Sequence, residues 1–172
     1  LVPGTVSLSE DGLQATFEVQ ASDESETDLV VTVMDSVTDL HGNALVVSSS
    51  DPVTVDTVNP GVSVSDDQPG TASDIANSVT YTLSFSEPVQ SVTDGDLTVT
   101  GAESYTVSHE AGSDTASVTV TVPDGSMENV SVSVNSSIVD IAGNPLIEVV
   151  DGSQPVDTVN PSTMGAPAVS VD

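Results

Sequence analysis

Two Asp and Asn pairs are the residues of this chain most suited to binding a metal ion. The hexapeptide VDTVNP occurs at residues 55–60 and again at residues 156–161. The pairs within it are Asp56 with Asn59, and Asp157 with Asn160. Carboxylate and amide oxygens are ligands for calcium, which takes six to eight oxygens in forgiving geometry. The repeated pattern therefore raises the hypothesis of a calcium-binding segment.

The charge composition is consistent with this hypothesis. The 172 residues include 27 Asp and Glu but no Lys or Arg, and the formal net charge is −27. Clustered carboxylates destabilise a compact state unless counterions, hydrogen bonds or metal ions offset their repulsion. The same charge argues against nucleic acid and anionic membrane as partners. No stretch approaches the ~20 apolar residues of a membrane span, so we expect no membrane insertion.

The hexapeptide belongs to a longer internal repeat. Residues 11–60 align without a gap with residues 112–161 at an offset of 101 (157 − 56 = 101), and 17 of the 50 aligned positions are identical. A period near 100 residues indicates a string of independent domains, because solenoid repeats are about 20 to 50 residues long. We predict the C-terminal half of a first module at 1–55, a linker at 56–60, a complete module at 61–156, a second linker at 157–161 and the first strand of a third module at 162–172.

Short alternating stretches of the complete module predict β-strands. VTYTLSF (79–85), ASVTVTV (116–122) and VSVSV (130–134) place apolar residues on one face and Ser or Thr on the other. The stretches GVSVSD, DLTVTG, ESYTVSH and PLIEVV bring the total to about seven. Helical periodicity is nowhere convincing. Seven strands in about 100 residues predict an all-β chain of tandem immunoglobulin-like β-sandwich modules, without a disulfide because Cys is absent.

The first module does not begin at the position where the complete repeat unit begins. Residues 1–55 align only with the second half of the unit. Half a sandwich would expose its inner face, so it should not be stable by itself. We expect either that another chain supplies the other half or that these residues are part of a longer molecule.

Several motifs give the chain a resemblance to a known family. They are FSEPV (85–89), DLTVTG (96–101), DIAGNPL (140–146) with its copy DLHGNAL (39–45), and the linker VDTVNP. In this order and spacing they resemble the bacterial immunoglobulin-like extender domains strung in tandem in large, calcium-dependent surface adhesins of the repeats-in-toxin type. The resemblance implies a calcium-stiffened rod on the bacterial cell surface, outside the cell. Its partners would be neighbouring modules of the same chain, and other domains of the parent protein would contact the adhesin's ligand.

The topology of an immunoglobulin-like sandwich predicts which ligands meet at a joint. The B–C and F–G loops lie at the pole where the chain enters, and the A–B and E–F loops lie where it leaves. The linker 56–60 should therefore lie between the E–F loop of the first module and the B–C and F–G loops of the second. The predicted calcium ligands at this joint are Asp23, Asp56, Asn59, Glu87, Asp140 and Asn144. The corresponding ligands at the second joint are Asp124, Asp157 and Asn160.

Plainer interpretations exist for each of these features. A single Asp or Asn is commonly a turn residue, and the Asn-Pro pairs could be passive spacers. One rival function is a ligand-binding module for carbohydrate or an ice surface, although the sequence shows neither an aromatic groove nor a regular Thr array. The other rival is an accessory domain of a secreted polysaccharide-degrading enzyme.

Catalysis has little support in the sequence. His41 lies near Asp39 in a Ser-rich chain, but its counterpart in the second copy is Ala142, and no G-x-S-x-G sequence is present. We interpret His109 as a surface residue at the end of a strand. We therefore expect no enzymatic activity.

Overall fold

The structure of the chain is a computed structural model that describes residues 5–148 and 150–162. The chain forms two compact units, residues 1–58 and 59–172, so the division lies inside the predicted linker 56–60. Within the described residues every regular element is a β-strand, apart from one 3-10 turn at Asp94–Asp96, which confirms the all-β fold class. The strand predicted at 162–172 lies outside the described residues, apart from Ser162.

The described part of the first unit, from Thr5 onward, contains four very short strands. They are β1 Ser7–Leu8, β2 Ala15–Thr16, β3 Thr32–Val33 and β4 Ser48–Ser49. Strand β1 pairs with β2 and β3 pairs with β4, in two separate antiparallel ladders. An isolated bridge between Leu29 and Val53 continues the second ladder.

The second unit is a complete sandwich of seven strands. They are β5 Val62–Asp66, β6 Ser78–Phe85, β7 Leu97–Thr100, β8 Ser104–His109, β9 Thr115–Thr121, β10 Val130–Val134 and β11 Asp151–Gln154. One sheet has the order β5-β6-β9-β8 and the other has the order β11-β10-β7. This is the A-B-E-D and G-F-C arrangement of constant-type immunoglobulin sandwiches.

The core lies between the two sheets and consists of the predicted apolar faces. Alternate residues of β6, β9 and β10 point inward and are buried, as the period-2 pattern predicts. They include Val79, Tyr81, Leu83, Phe85, Val118, Val120, Val130, Val132 and Val134. Tyr81 has a polar end, and its hydroxyl donates a hydrogen bond to the Val130 carbonyl at 3.1 Å across the sandwich. Burial raises the pKa of Tyr81 to about 12, so this hydroxyl stays a donor at neutral pH.

The outer face of the four-stranded sheet is lined by hydroxyl side chains. The register places Thr80 beside Thr119 and Thr119 beside Thr106, and the neighbouring outward positions are Ser or Thr as well. Of the residues in β5 to β11, only Asp66 and Asp151 carry a carboxylate, and each lies at the end of its strand. The pairing thus sets the Ser and Thr faces of neighbouring strands, which the alternation predicts strand by strand, side by side in a regular array.

The last strand, β11, follows the predicted stretch PLIEVV, which the structure describes apart from residue 149. Val139 bridges Pro145, and the Leu146 N–H donates to the Ile138 carbonyl at 2.9 Å, so this stretch begins as one arm of a tight hairpin. Pairing with β10 begins at Val150, whose carbonyl accepts a hydrogen bond from the Val134 N–H at 3.1 Å, and continues through Asp151–Gln154. The prediction was wrong because a hairpin arm and a strand share the same apolar alternation.

Asp96 links the start of β7 to the end of β10 and should make the second unit acid-sensitive. Its carboxylate accepts hydrogen bonds from the Ser137 hydroxyl at 2.6 Å, the Thr93 N–H at 2.8 Å and the Thr93 hydroxyl at 2.7 Å. Burial opposes ionisation, but these bonds outweigh it and lower the pKa of Asp96. The stabilisation is therefore present above the unfolded-state pKa of about 3.9 and is lost as the pH falls through the lower folded-state pKa.

We predict that Asp96→Asn lowers the free energy of unfolding by about 1 kcal/mol at pH 7, because these bonds to a charged acceptor are partly exposed to solvent. The deficit should shrink as the pH falls below about 4, because the carboxylate is protonated in the unfolded state before it is protonated in the native state. Urea denaturation between pH 3 and pH 7 measures this, with Asp94→Asn as an exposed control. A deficit independent of pH would contradict the assignment.

Candidate metal site

Asp140 is held in place by its own turn. It follows β10, and its Oδ1 accepts hydrogen bonds from the N–H groups of Gly143 at 2.6 Å and Asn144 at 2.8 Å. Its Oδ2 accepts one from the Asn144 side-chain amide at 2.7 Å. Gly143 has a φ of +101°, a conformation that favours glycine. The sequence DIAGN therefore folds locally so that a carboxylate is fixed with its side chain only 1% exposed.

The buried carboxylate of Asp140 is ionised at neutral pH. Burial by itself would raise its pKa, but the hydrogen bonds from Asn144 and Gly143 outweigh this and hold the pKa below its ordinary value. The chain has no Lys or Arg that could pair with this anion. The protein therefore places a fixed negative charge in a position where only dipoles or a bound cation can offset it.

Glu87 lies on the loop after β6 and brings a second carboxylate to the same place. This loop is joined to the Asp140 turn by a bridge between Val89 and Asp140 and by the Gln90 N–H, which donates to the Val139 carbonyl at 3.0 Å. One carboxylate oxygen of Glu87 lies within 4.8 Å of one of Asp140. At an effective dielectric constant of about 20, two like charges at this distance repel by roughly 3 kcal/mol. A divalent cation between them would convert this repulsion into attraction.

Asn59 connects the linker to the same loops. Its side-chain amide donates a hydrogen bond to the Pro145 carbonyl at 2.7 Å, directly after Asn144 in the chain. This orientation leaves the amide oxygen as the side-chain atom of Asn59 that could ligate a metal. The second unit thus brings four of the nine predicted ligands into connected loops at the end where the linker enters: Asn59, Glu87, Asp140 and Asn144.

The donor set suits calcium better than a transition metal. All of the predicted ligand atoms are carboxylate or amide oxygens, and there is no Cys in the chain. Oxygen donors with a net negative charge favour hard cations, and calcium accepts the irregular geometry that loops provide. The residues therefore fit a calcium ion, which would supply positive charge to two carboxylates that otherwise repel.

The other predicted ligands occupy varied positions. Asp56 is half-buried, and its Oδ1 accepts a hydrogen bond from the Val58 N–H at 3.1 Å. Asp157 repeats this bond with the Val159 N–H, also at 3.1 Å. Three further predicted ligands have exposed side chains: Asp23, Asp124 and Asn160.

Asp124 lines an acidic cavity at the opposite end of the second unit. This cavity of about 240 Å³ is also lined by Asp74 and Glu103, two carboxylates that the sequence analysis did not select. Asp74 lies between β5 and β6, Glu103 between β7 and β8, and Asp124 between β9 and β10. Loop residues far apart in sequence meet here, so no sequence spacing could have predicted the group.

Thr57 and Thr158 make linker contacts that the sequence analysis missed. The Thr158 hydroxyl accepts a hydrogen bond from the Ser126 N–H at 2.8 Å and donates one to the Pro123 carbonyl at 2.7 Å. Thr57 makes the equivalent bonds in the first unit, with the Ser25 N–H at 2.8 Å and the Ser22 carbonyl at 2.8 Å. Both Thr residues therefore attach the start of a linker to the E–F loop of the preceding module. The sequence did offer one signal for these residues, because the same Thr occurs at this position in both copies of the repeat.

The two histidines have no catalytic surroundings among the described residues. His41 is exposed. His109 is half-buried rather than on the surface, because its ring packs edge-on against Phe85 with centroids 6.5 Å apart. Its Nδ1 accepts a hydrogen bond from the Val92 N–H at 3.2 Å, so its role in the structure is to hold the loop after β6.

We predict that Thr158→Val lowers the free energy of unfolding of the second unit by about 1–3 kcal/mol. The substitution keeps the shape of the side chain but leaves the Ser126 N–H and the Pro123 carbonyl, both in half-buried residues, without their partner. Thr100→Val is the matched control, since the Thr100 hydroxyl bonds Ser131 on the exposed outer face, and it should cost less than about 0.5 kcal/mol. Equal losses of unfolding free energy in the two variants would show that the hydrogen bonds of the Thr158 hydroxyl contribute no more to stability than those of an exposed hydroxyl.

We predict that Asp140→Ala destabilises the second unit by about 3 kcal/mol in metal-free buffer, because three donors lose a buried, charged acceptor. The equivalent Asp39 makes the same kinds of bonds, with Asn43 and His41, but is exposed. Asp39→Ala should therefore leave unfolding of the second unit unchanged. Tyrosine fluorescence reports this unit alone, because both Tyr residues lie in it. A change below 0.5 kcal/mol in Asp140→Ala would show that the turn does not need its carboxylate.

Comparison with known proteins identifies the family of the second unit. A family model described as a bacterial Ig-like domain matches residues 56–160. Domains of this family are generally non-catalytic modules. Curated proteins and solved structures give no match. In the described ranges no helix is long and apolar enough to span a bilayer.

Proposed function

Because the chain belongs to the family of bacterial Ig-like domains, we propose that it is an extender segment of a secreted bacterial adhesin, in which calcium stiffens the joints between modules. The observation that carries this proposal is the pair of carboxylates of Glu87 and Asp140. Their oxygens lie within 4.8 Å of each other in a chain without a basic side chain.

Asp56 is proposed as the third carboxylate ligand. The family match begins at Asp56, so this residue is part of the domain sequence that holds the other two. Asn59 and Asn144 would add amide oxygens, and water or backbone carbonyls would complete the six to eight ligands that calcium takes.

The short linker explains how such a site would stiffen a joint. Thr57 is bonded to the E–F loop of the first unit, and Asn59 is bonded to a loop of the second, so only Val58 separates two attached residues. Pro60 also restricts the backbone of the linker, because its ring fixes φ and disfavours a helical Asn59. Little conformational entropy would remain to be lost when calcium binds.

The proposed partners and location follow from an extender role. Neighbouring modules of the same chain would be the direct partners, and other domains of the parent protein would bind the adhesin's ligand. The chain would act outside the cell, on the bacterial surface, where calcium at about 10⁻⁴–10⁻³ M is sufficient for weak sites. No catalytic step is proposed.

We predict that calcium binds the full chain with a dissociation constant of about 10⁻⁴–10⁻³ M. Asp56→Ala and Glu87→Ala should each weaken binding by about tenfold or more without abolishing it, since a charged contact contributes about 1.5–3 kcal/mol. Isothermal titration calorimetry measures the affinity. Glu110→Ala is the control, because it removes one charge from an exposed turn.

Two results would contradict the proposal. Unchanged affinity in both ligand variants would remove Asp56 and Glu87 from the site. Small-angle scattering of the chain, with calcium and then with a chelator at constant ionic strength, tests the stiffening itself. Charge repulsion is screened within about 8 Å at physiological ionic strength, so it cannot hold modules in line without calcium. A maximum dimension that does not change on chelation would therefore leave passive spacing as the function of the linker.

A further inference from the structure

Strand β8 is an edge strand without the features that commonly protect one. It ends the four-stranded sheet, and in the part of the chain that the structure describes it pairs only with β9. Its six residues, Ser104–His109, contain neither Pro nor a carboxylate, and its outward side chains are exposed. An edge without a charge, a Pro or a covering segment is a place where a further strand can add, because its outward N–H and C=O groups are available for pairing.

The other edge strands of the second unit are shorter or better protected. Strands β7 and β11 have only four residues each. Strand β5 has five residues and ends at Asp66. Strand β11 also approaches β5 closely, since a Cβ added to Gly152 would lie 2.6 Å from Cγ1 of Val64. The longest edge of this unit is therefore the least protected.

The inward side chains of β8 are incompletely covered. Tyr105 and Val107 pack against the core but are only half-buried. The residues opposite them in β9, Val120 and Val118, are both 0% exposed. A strand added beside β8 would therefore bury apolar area as well as pair the backbone.

We propose that β8 is a contact between two copies of this chain, which pair their β8 strands antiparallel around a twofold axis. The two four-stranded sheets would then form one continuous sheet of eight strands. In such a contact the same edge meets itself, so one uncharged strand serves both partners. The contact lies outside the candidate metal site and does not depend on calcium.

The pleat limits the register of this pairing. Residues directly opposite each other in an antiparallel pair point to the same face, so inward residues must meet inward residues. Because successive side chains alternate, the two residue numbers of each pair must then add to an even number. This condition excludes the register that would place Glu103 opposite Glu110, because that sum is odd (103 + 110 = 213).

The register centred on Thr106 gives the most favourable outward pairs. It places Thr106 opposite its own copy and Ser104 opposite Ser108, so every outward pair within the strand consists of two hydroxyls. The chain already contains such a cross-strand pair on an exposed face, since the Thr100 and Ser131 hydroxyls lie 2.7 Å apart. The second copy therefore offers β8 the same kind of contact that neighbouring strands of this chain make.

The same register suits the inward side chains and avoids opposing carboxylates. Tyr105 meets Val107 of the other copy, an aromatic and β-branched pair of the kind that stabilises sheets. Glu103 lies opposite His109 rather than opposite an acidic residue. The net charge of −27 still repels a second copy, so we expect association to strengthen as the ionic strength rises.

Sedimentation velocity of the full chain tests the contact, with a chelator present so that calcium cannot bridge two chains. We expect the average mass to rise with protein concentration, and to rise more in about 0.5 M than in about 0.05 M sodium chloride. Thr106→Asp should abolish this rise, because it places two carboxylates opposite each other at the centre of the contact. Thr82→Asp is the matched control, since Thr82 is an exposed outward residue of the central strand β6, and it should leave the rise unchanged.

Cysteine crosslinking tests the register, because the chain has no Cys of its own. Under mild oxidation Thr106→Cys should give at least about tenfold more disulfide-linked dimer than Ser104→Cys. Opposite Cβ atoms lie about 4.5–5.5 Å apart, whereas the two copies of position 104 would lie about 13 Å apart, beyond the reach of a disulfide.

Three results would overturn the proposal. They are a chain that stays monomeric at every concentration and ionic strength, a dimer that persists in Thr106→Asp, and equal crosslinking of the two Cys variants. Amide hydrogen exchange in β6 and β9 of each variant verifies that the second unit is folded, so that lost association cannot come from unfolding.

Discussion

The absence of any positively charged side chain other than histidine is the constraint on which the rest of the structure depends. A carboxylate in this chain cannot be neutralised by Lys or Arg, so it must be hydrated, hydrogen-bonded or bound to a cation. The sandwich places its carboxylates in loops and at strand ends, and its outward strand positions carry Ser and Thr. Like charges opposite each other across two strands would destabilise the sheet, and hydroxyl pairs such as Thr100 with Ser131 avoid this cost.

The same constraint accounts for the turn at Asp140. Elsewhere a buried carboxylate is commonly paired with Arg, whereas here three hydrogen bonds from its own turn take that role. Among the described residues no buried side-chain nitrogen or oxygen lacks a hydrogen-bond partner. The bonds keep Asp140 ionised at the cost of leaving its charge close to that of Glu87. A cation bound there would offset both charges, as the proposed calcium-dependent joint would require.

The two copies of the internal repeat share hydrogen bonds as well as residue types. Asp39 and Asp140 close equivalent turns, and Thr57 and Thr158 make equivalent contacts with Ser25 and Ser126. These bonds form between residues close in the chain or on adjacent loops, so they survive in the first unit although its apolar residues are exposed. The core contacts do not survive there, because they need an opposing layer. The polar hydrogen bonds of the turns therefore form in the first unit independently of the packing of apolar side chains between two sheets.

The sequence by itself determined the all-β class, the seven strands with one misplaced, the inward faces of β6, β9 and β10, and the candidate ligands near the linker. It could do so because period-2 alternation and an internal repeat are local signals. The loop positions of an immunoglobulin-like topology also predicted that Glu87 and Asp140 meet. Only the tertiary structure decided that Asp74, Glu103 and Asp124 line one cavity, and that the Thr158 hydroxyl bonds Ser126 and Pro123. These outcomes depend on how loops separated by tens of residues meet once the two sheets pack, and no spacing along the chain encodes those distances.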